Sequence, residues 1–178
     1  MSSWRPGEKR PDRESMLRVN QAGEYGATRI YAGQLAVLGR GSAAAHQIAR
    51  MAAQEQRHLA RFDKMMADRR VRPTALQPLW SVAGFALGAA TAMISEKAAM
   101  ACTDAVETEI DRHYSEQLAA LGEEDPKFAA DIREFQAEEL EHRATAREHG
   151  AQEAIAYPLL TTAIRAGCRL AIELSKRI

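Results

Sequence analysis

The chain has 178 residues, a length that one hydrophobic core can serve, so it reads as a single domain. Its 24 basic residues are matched by 24 acidic ones, and with no net charge it lacks the basic field that draws a protein to nucleic acid. Its two cysteines, Cys102 and Cys168, form no Cys-x-x-Cys motif, which excludes a disulfide framework or a rubredoxin-like iron site and leaves them as reduced packing residues.

Residues 1–12 form a polar tail of mixed charge, with neither the apolar stretch of a secretory signal nor the acid-poor character of a transit peptide. A cytoplasmic location is expected, or the mitochondrial matrix if a leader precedes this sequence. From residue 13 onward the composition favours helix: Ala, Leu, Met, Glu and Arg dominate, only 6% of residues are aromatic, and no segment alternates with the period of a strand. The fold class is therefore all-α, with residues 13–178 as one domain. Helices are predicted over 13–38, 43–69, 79–120, 126–149 and 152–177. The third is too long and too varied for one bundle helix, and it divides near Ser95 into an apolar part and a charged amphipathic part. Gly39 and Gly41 mark the first turn, and Gly122 with Asp125-Pro126 marks the second; Asp at the N-cap followed by Pro at the first helical position is a strong helix start.

One pattern occurs twice on this framework. Glu24 is followed 31 residues later by Glu55-Gln56-Arg57-His58, and Glu107 is followed 32 residues later by Glu139-Leu140-Glu141-His142. In each Glu-x-x-His the two side chains share a helix face. Glu24 lies 15 residues before Gly39 and Glu55 lies 14 after Gly41; Glu107 lies 15 before Gly122 and Glu139 lies 14 after Asp125. At 1.5 Å per residue each pair sits level, roughly 21–22 Å from its turn. Random placement of 17 Glu and 5 His gives about 0.5 Glu-x-x-His pairs in a chain of this length. Two pairs, each preceded by a level glutamate, are the ligand pattern of a carboxylate-bridged dimetal centre in a four-helix bundle. The expected metal ligands are Glu24, Glu55, His58, Glu107, Glu139 and His142. Four carboxylates offset two divalent ions, which lets the cluster lie in a dry interior. Nitrogen and oxygen ligation without thiolate suits iron or manganese.

The stretch 17–27 (Leu-Arg-Val-Asn-Gln-Ala-Gly-Glu-Tyr-Gly-Ala), the Glu55 pair and Glu138-Glu139-Leu140-Glu141-His142 resemble the demethoxyubiquinone hydroxylase family of ubiquinone biosynthesis, over nearly the whole chain from Met16. That resemblance implies a ferritin-like di-iron monooxygenase. It implies two iron ions on the same six residues, and O₂-dependent ring hydroxylation of a polyprenylated demethoxyubiquinol. It implies peripheral attachment to a membrane surface, the cytoplasmic face of the cell membrane or the matrix side of the mitochondrial inner membrane, and as partners a lipid-presenting protein and other ubiquinone-biosynthesis enzymes. No Gly-x-Gly-x-x-Gly fingerprint is present, so the electrons must come from an external reductant such as NADH or from the quinol itself. His113-Tyr114 resembles the family's His-Tyr pair, which implies a role in handling quinol electrons or protons.

Tyr31 and Tyr114 each follow a ligand glutamate by seven residues, on the same helix face. Tyr31 reads as a core tyrosine with a satisfied hydroxyl. Asp111 is placed either as an acceptor for a ligand histidine or as a solvated carboxylate. Gly23 and Gly26 flank Glu24 where a neighbouring helix or a substrate ring would approach. Glu138 and Glu141 are expected to face away from the centre, and His46 and His149 have no ligand partner at a suitable spacing.

The uncharged segment 79–94 is shorter than the roughly 20 residues that span a bilayer. It reads as a helix that touches the membrane or as a buried connection. In the last helix Leu159, Leu160, Ala163, Ile164, Leu170, Ala171 and Leu174 form an apolar stripe beside Arg165, Arg169, Lys176 and Arg177, a pattern suited to a membrane surface or to the bundle. Two other functions fit the same residues: a ferroxidase or iron-handling protein, and a non-catalytic lipid-binding scaffold of a quinone-biosynthesis complex.

Overall fold

The computed structural model describes residues 12–39 and 41–177, so most of the polar tail lies outside the described residues. Six helices follow in order: α1 (Arg13–Leu38), α2 (Ala43–Arg69), α3 (Gln77–Ile94), α4 (Glu96–Leu121), α5 (Pro126–Glu148) and α6 (Tyr157–Ser175), with a single 3₁₀ turn (Ala151–Glu153) before α6. No strand occurs among the described residues.

Short polar side chains start the four bundle helices. Asp12 accepts from the Ser15 amide, Ser42 from Ala45, Ser95 from Ala98 and Asp125 from Phe128, at 3.0–3.1 Å. Ser95 is extended and serves both sides of the break, donating its amide to Thr91 at the end of α3 while capping α4. The predicted last helix starts five residues late. Gly150 at φ 83° and Ala156 at φ 55° turn the chain left-handed on either side of the 3₁₀ turn, and Pro158 then fixes the start of α6.

α1 with α2 and α4 with α5 form antiparallel hairpins, and each first helix carries a further helix along its back: α3 on α1, α6 on α4. The structure thus holds two hairpins, with α3 as the helix that connects them and α6 as a C-terminal helix outside the second. Apolar plugs close both ends of the bundle. Leu17, Phe62, Met66, Leu121, Phe128 and Ile132 fill one end, and Ala44, Ile48, Met51, Ala98 to Ala101 and Ala146 fill the other.

α3 reaches α1 through glycine. A Cβ on Gly88 would lie 1.9 Å from the Ile30 carbonyl oxygen, and one on Gly33 would lie 2.2 Å from that of Phe85. Gly23 and Gly26 have open space where a Cβ would project, so no neighbouring helix demands glycine through that atom. α6 is held by charge as well as by the packing of Ile164 and Leu160. Glu109, fully buried on α4, accepts from Arg165 at 2.7 Å, from Arg169 at 2.8 Å and from Arg112 at 2.9 Å. Burial opposes its charge, yet these guanidinium groups hold its carboxyl at about 2.

Gly88→Ala is expected to destabilise the fold by about 1–3 kcal/mol through overpacking. At about 2–4 °C per kcal/mol for a chain of this size, the loss is readable as a lower Tm. Gly23→Ala, by contrast, is expected to raise the Tm, since about 1 kcal/mol of helix propensity is recovered without a clash.

Candidate metal centre

Each of the four bundle helices brings its part of the repeated pattern inward near mid-length: Glu24 on α1, Glu55 and His58 on α2, Glu107 on α4, Glu139 and His142 on α5. All six side chains are buried. They form two overlapping groups, Glu24, Glu55, His58 and Glu139 in one and Glu55, Glu107, Glu139 and His142 in the other. Within each group the candidate ligand atoms lie within 4.8 Å of one another. Glu55 and Glu139 belong to both groups, while Glu24 with His58 and Glu107 with His142 stand at the two ends.

The donor atoms fit a metal pair. Glu24 Oε2, both oxygens of Glu55 and Glu139, Glu107 Oε2 and Nδ1 of both histidines are buried without a hydrogen-bond partner. Buried polar atoms are rarely left so. His58 Nδ1 lies 3.1 Å from Glu139 Oε1 and 3.5 Å from Glu24 Oε2, and His142 Nδ1 lies 3.0 Å from Glu139 Oε2 and 3.1 Å from Glu55 Oε1. The inward atoms therefore face a common centre that divalent cations can occupy. Their protonation shows the same strain. Burial, and then the Glu139 carboxylate nearby, raise Glu55 and Glu107 well above the usual carboxylate range. Burial likewise raises Glu139, to about 7, and His58 rises to about 10 because Glu139 and Glu24 outweigh its own burial.

Around the ligands the two halves are wired crosswise. Tyr31 on α1 donates to Glu107 at 2.9 Å, and Tyr114 on α4 donates to Glu24. Tyr31 is buried and satisfied as read from the sequence, but its partner is a carboxylate of the centre in the opposite half. His58 Nε2 meets Glu138 Oε2 at 3.0 Å, and His142 Nε2 meets Gln54 Oε1 at 3.0 Å. The expectation that Glu138 faces away is thus corrected. It and Gln54 occupy the same register, one residue before each Glu-x-x-His, and that shared position was the signal available in the sequence. Asp111 accepts from Gln136 at 2.7 Å and Arg143 at 3.2 Å, so its charge is spent on the α4–α5 hairpin. Glu141 and His46 are exposed. Phe135 stacks on His58 with ring centroids 4.2 Å apart, sealing that side of the centre.

His113 and Tyr114 diverge. Tyr114 reaches the centre through Glu24, whereas the His113 ring bonds Gln117 at 2.8 Å and lines a cavity of about 150 Å³ with Ser15, Met16, Val19 and Lys176. Burial, aided by Lys176, lowers His113 to about 4, so its ring is neutral at pH 7.

At pH 7 a chain without metal holds protons on His58 and, in part, on Glu139, and a loaded centre must shed them. Loading with a divalent ion in weak buffer is expected to release protons, and the apparent affinity is expected to rise with pH between 6 and 8. At free metal about 100 times Kd the gain in stability is about 2.7 kcal/mol, visible as a higher Tm that a chelator reverses.

The family profile described as "Ubiquinone biosynthesis protein COQ7" matches residues 11–175. The chain is 55% identical over 175 residues to the 3-demethoxyubiquinol 3-hydroxylase of Rhodospirillum rubrum, covering 97% of this chain and 82% of that protein. It is 52% identical over 168 residues to the mitochondrial NADPH-dependent 3-demethoxyubiquinone 3-hydroxylase of Mus musculus, covering 92% and 77%. It is 40% identical over 187 residues to the mitochondrial 5-demethoxyubiquinone hydroxylase of Saccharomyces cerevisiae, covering 93% and 78%. With this match running through both halves of the repeat and every residue of the buried cluster, the chain belongs to the COQ7 family of ubiquinone biosynthesis proteins.

Proposed function

We propose that the chain is an O₂-dependent monooxygenase that hydroxylates the ring of a polyprenylated demethoxyubiquinol, with two iron ions held by Glu24, Glu55, His58, Glu107, Glu139 and His142. The observation that carries this reading is the buried set of inward, unpartnered carboxylate and imidazole atoms in a chain whose relatives are named hydroxylases of that ring. Iron, when bound, would supply the electron-transfer chemistry that lets O₂ react with a closed-shell ring.

The chain's own residues do the rest. Glu55 and Glu139, common to both groups, would help to hold both ions, and the apolar plugs at the two ends keep bulk water away. The balance is one ring C–H, one O₂, two electrons and two protons, giving one ring C–OH and one water. The electrons come from a reduced nicotinamide or from the quinol. Tyr114, whose hydroxyl burial and Glu24 keep protonated far above neutral pH, holds its proton at the oxygen it shares with Glu24 and is assigned to proton handling there. His113 is assigned a supporting part through Gln117, which also bonds Asn20 at 2.8 Å, one turn before Glu24.

Ile30, Ala105, Val106 and Ile164, with Leu87 and Leu160 beside them, form a buried apolar cluster beneath α3 and α6 next to Glu107. Outside it, Leu79, Val82, Met93 and Ile94 of α3 and Leu159 and Leu170 of α6 are exposed. α3 is long and apolar enough to cross a membrane by length and composition, but it is tied to α1 along its glycines. We assign both helices to peripheral contact with the membrane that stores the quinol, the mitochondrial inner membrane or the bacterial cell membrane, where a lipid-presenting partner would also dock.

Iron-loaded protein given a short-chain demethoxyubiquinol, a reductant and isotopically labelled O₂ is expected to place one labelled oxygen on the ring, detected by mass spectrometry, and Glu139→Ala is expected to place none. Oxygen consumption without ring label would sink the substrate assignment and favour a ferroxidase. On the membrane side, a Val82→Glu, Leu159→Glu double variant is expected to bind anionic vesicles at least about tenfold more weakly, since each side chain contributes about 1.5–3 kcal/mol when buried. Its metal content and Tm are expected to stay unchanged; unaltered vesicle binding would remove α3 and α6 from the contact.

A further inference from the structure

Behind the two ligand histidines runs one continuous hydrogen-bonded chain. Glu138 Oε2 receives Arg57 Nη2 at 3.0 Å, His58 Nε2 at 3.0 Å and Gln54 Nε2 at 3.3 Å. The other end of the Gln54 amide, Oε1, faces His142 Nε2 at 3.0 Å. Each direction in this chain follows from the one before. Arg57 has only donors, so the oxygen it meets is an acceptor, and the salt-bridged carboxylate of Glu138 has no proton to give. His58 Nε2 must then carry a hydrogen. The Gln54 amide must turn its NH₂ to Glu138 and its carbonyl to His142. An amide oxygen only accepts, so His142 Nε2 must carry a hydrogen as well. In the neutral form of each ring this leaves Nδ1 as the lone pair, and both Nδ1 atoms are those that point into the centre.

We infer that Glu138 is the positioning residue that decides which nitrogen carries the proton in both ligand histidines, directly in His58 and through the Gln54 amide in His142. The inference rests on the metal-centre reading and adds to it the source of both tautomers. The repeat explains why the two positions differ. Gln54 and Glu138 occupy equivalent sites, and of the combinations available only one glutamate with one glutamine closes the chain. Two carboxylates would face each other with no proton between them. Two amides would leave each free to turn over, and an amide that presents its NH₂ to His142 drives the ring proton onto Nδ1, among the metal ligands. The pairing also gives the two ends of the centre different donors, since His58 leans on an anion and His142 on a neutral amide.

The test uses the full chain loaded with zinc, which is diamagnetic, and reads affinity by titration and ring protonation by nitrogen-correlated NMR of the histidines. The wild type is expected to take up two zinc ions and to show slowly exchanging Nε2 protons on His58 and His142. Glu138→Gln keeps the shape and is expected to weaken both zinc positions about 10–100-fold, the usual cost of losing such a partner, and to abolish the protected His142 Nε2 proton although residue 138 does not touch that ring. The exchanged pair Gln54→Glu with Glu138→Gln, which runs the chain in reverse, is expected to restore both positions to within a few-fold of wild type. If Glu138→Gln weakens only the His58 position and leaves the His142 proton in place, or if the exchanged pair fails to recover while its metal-free Tm matches wild type, the inference is overturned. Failure of the wild type to bind two zinc ions would overturn the metal-centre reading and this inference together.

Discussion

Four carboxylates held within a few ångströms in a buried space repel one another, and the rest of the molecule is arranged to bear that repulsion. Ordinary burial would neutralise them by protonation, and Glu55, Glu107 and Glu139 are pushed in that direction. Leu17, Phe62, Phe128 and Ile132 at one end and Ile48, Met51 and Met100 at the other are fully or almost fully buried and keep the helices from parting around the charge. Tyr31 and Tyr114 each quiet one terminal carboxylate oxygen, leaving its fellow oxygen unpartnered and directed inward. On the proposed reading this unfavourable charge favours divalent ions, and eight of the eleven buried side-chain atoms without hydrogen-bond partners among the described residues belong to these six side chains.

The outer helices are attached by two different physical means. α3 meets α1 backbone to backbone where Gly33, Gly84 and Gly88 remove side chains from the contact, and this leaves its larger apolar residues outward. α6 is bound through the guanidinium cluster on Glu109, two residues from Glu107, with Tyr157 and Arg147 meeting on Asp104 nearer its start. The two helices are tied by a hydrogen bond near one end, where the Trp80 indole donates to Ser175 at 3.1 Å, and share an apolar cluster through Leu87 and Ile164.

The four bundle helices and their level glutamates are readable in the sequence because helix rise and the Glu-x-x-His interval are local quantities, and Ser95 announces its break by being a capping residue between an apolar and a charged run. What sequence periodicity cannot give is which residue of one half faces which residue of the other. Glu138 lies beside a ligand on its own helix and reads as turned away, yet it reaches across to His58 on α2. Tyr31 looks like filler until Glu107 is brought opposite from 76 residues further along the chain. Asp111 had a plausible histidine partner by spacing, but Gln136 and Arg143 compete for it across the hairpin. The delayed start of α6 depends on left-handed backbone at Ala156, a conformation that alanine does not advertise.

Every polar support around the centre crosses from one half of the repeat to the other: Tyr31 to Glu107, Tyr114 to Glu24, His58 to Glu138, His142 to Gln54. A single helical hairpin could not complete even one end of the centre, because the partners of its own ligands lie elsewhere and Glu55 and Glu139 are each common to both groups. Two identical units related by a two-fold axis could, since each would lend the other what it lacks. The contacts are reciprocal, as across an isologous interface, and a single chain permits a glutamine on one side and a glutamate on the other. In a true homodimer any such difference would be forbidden by symmetry.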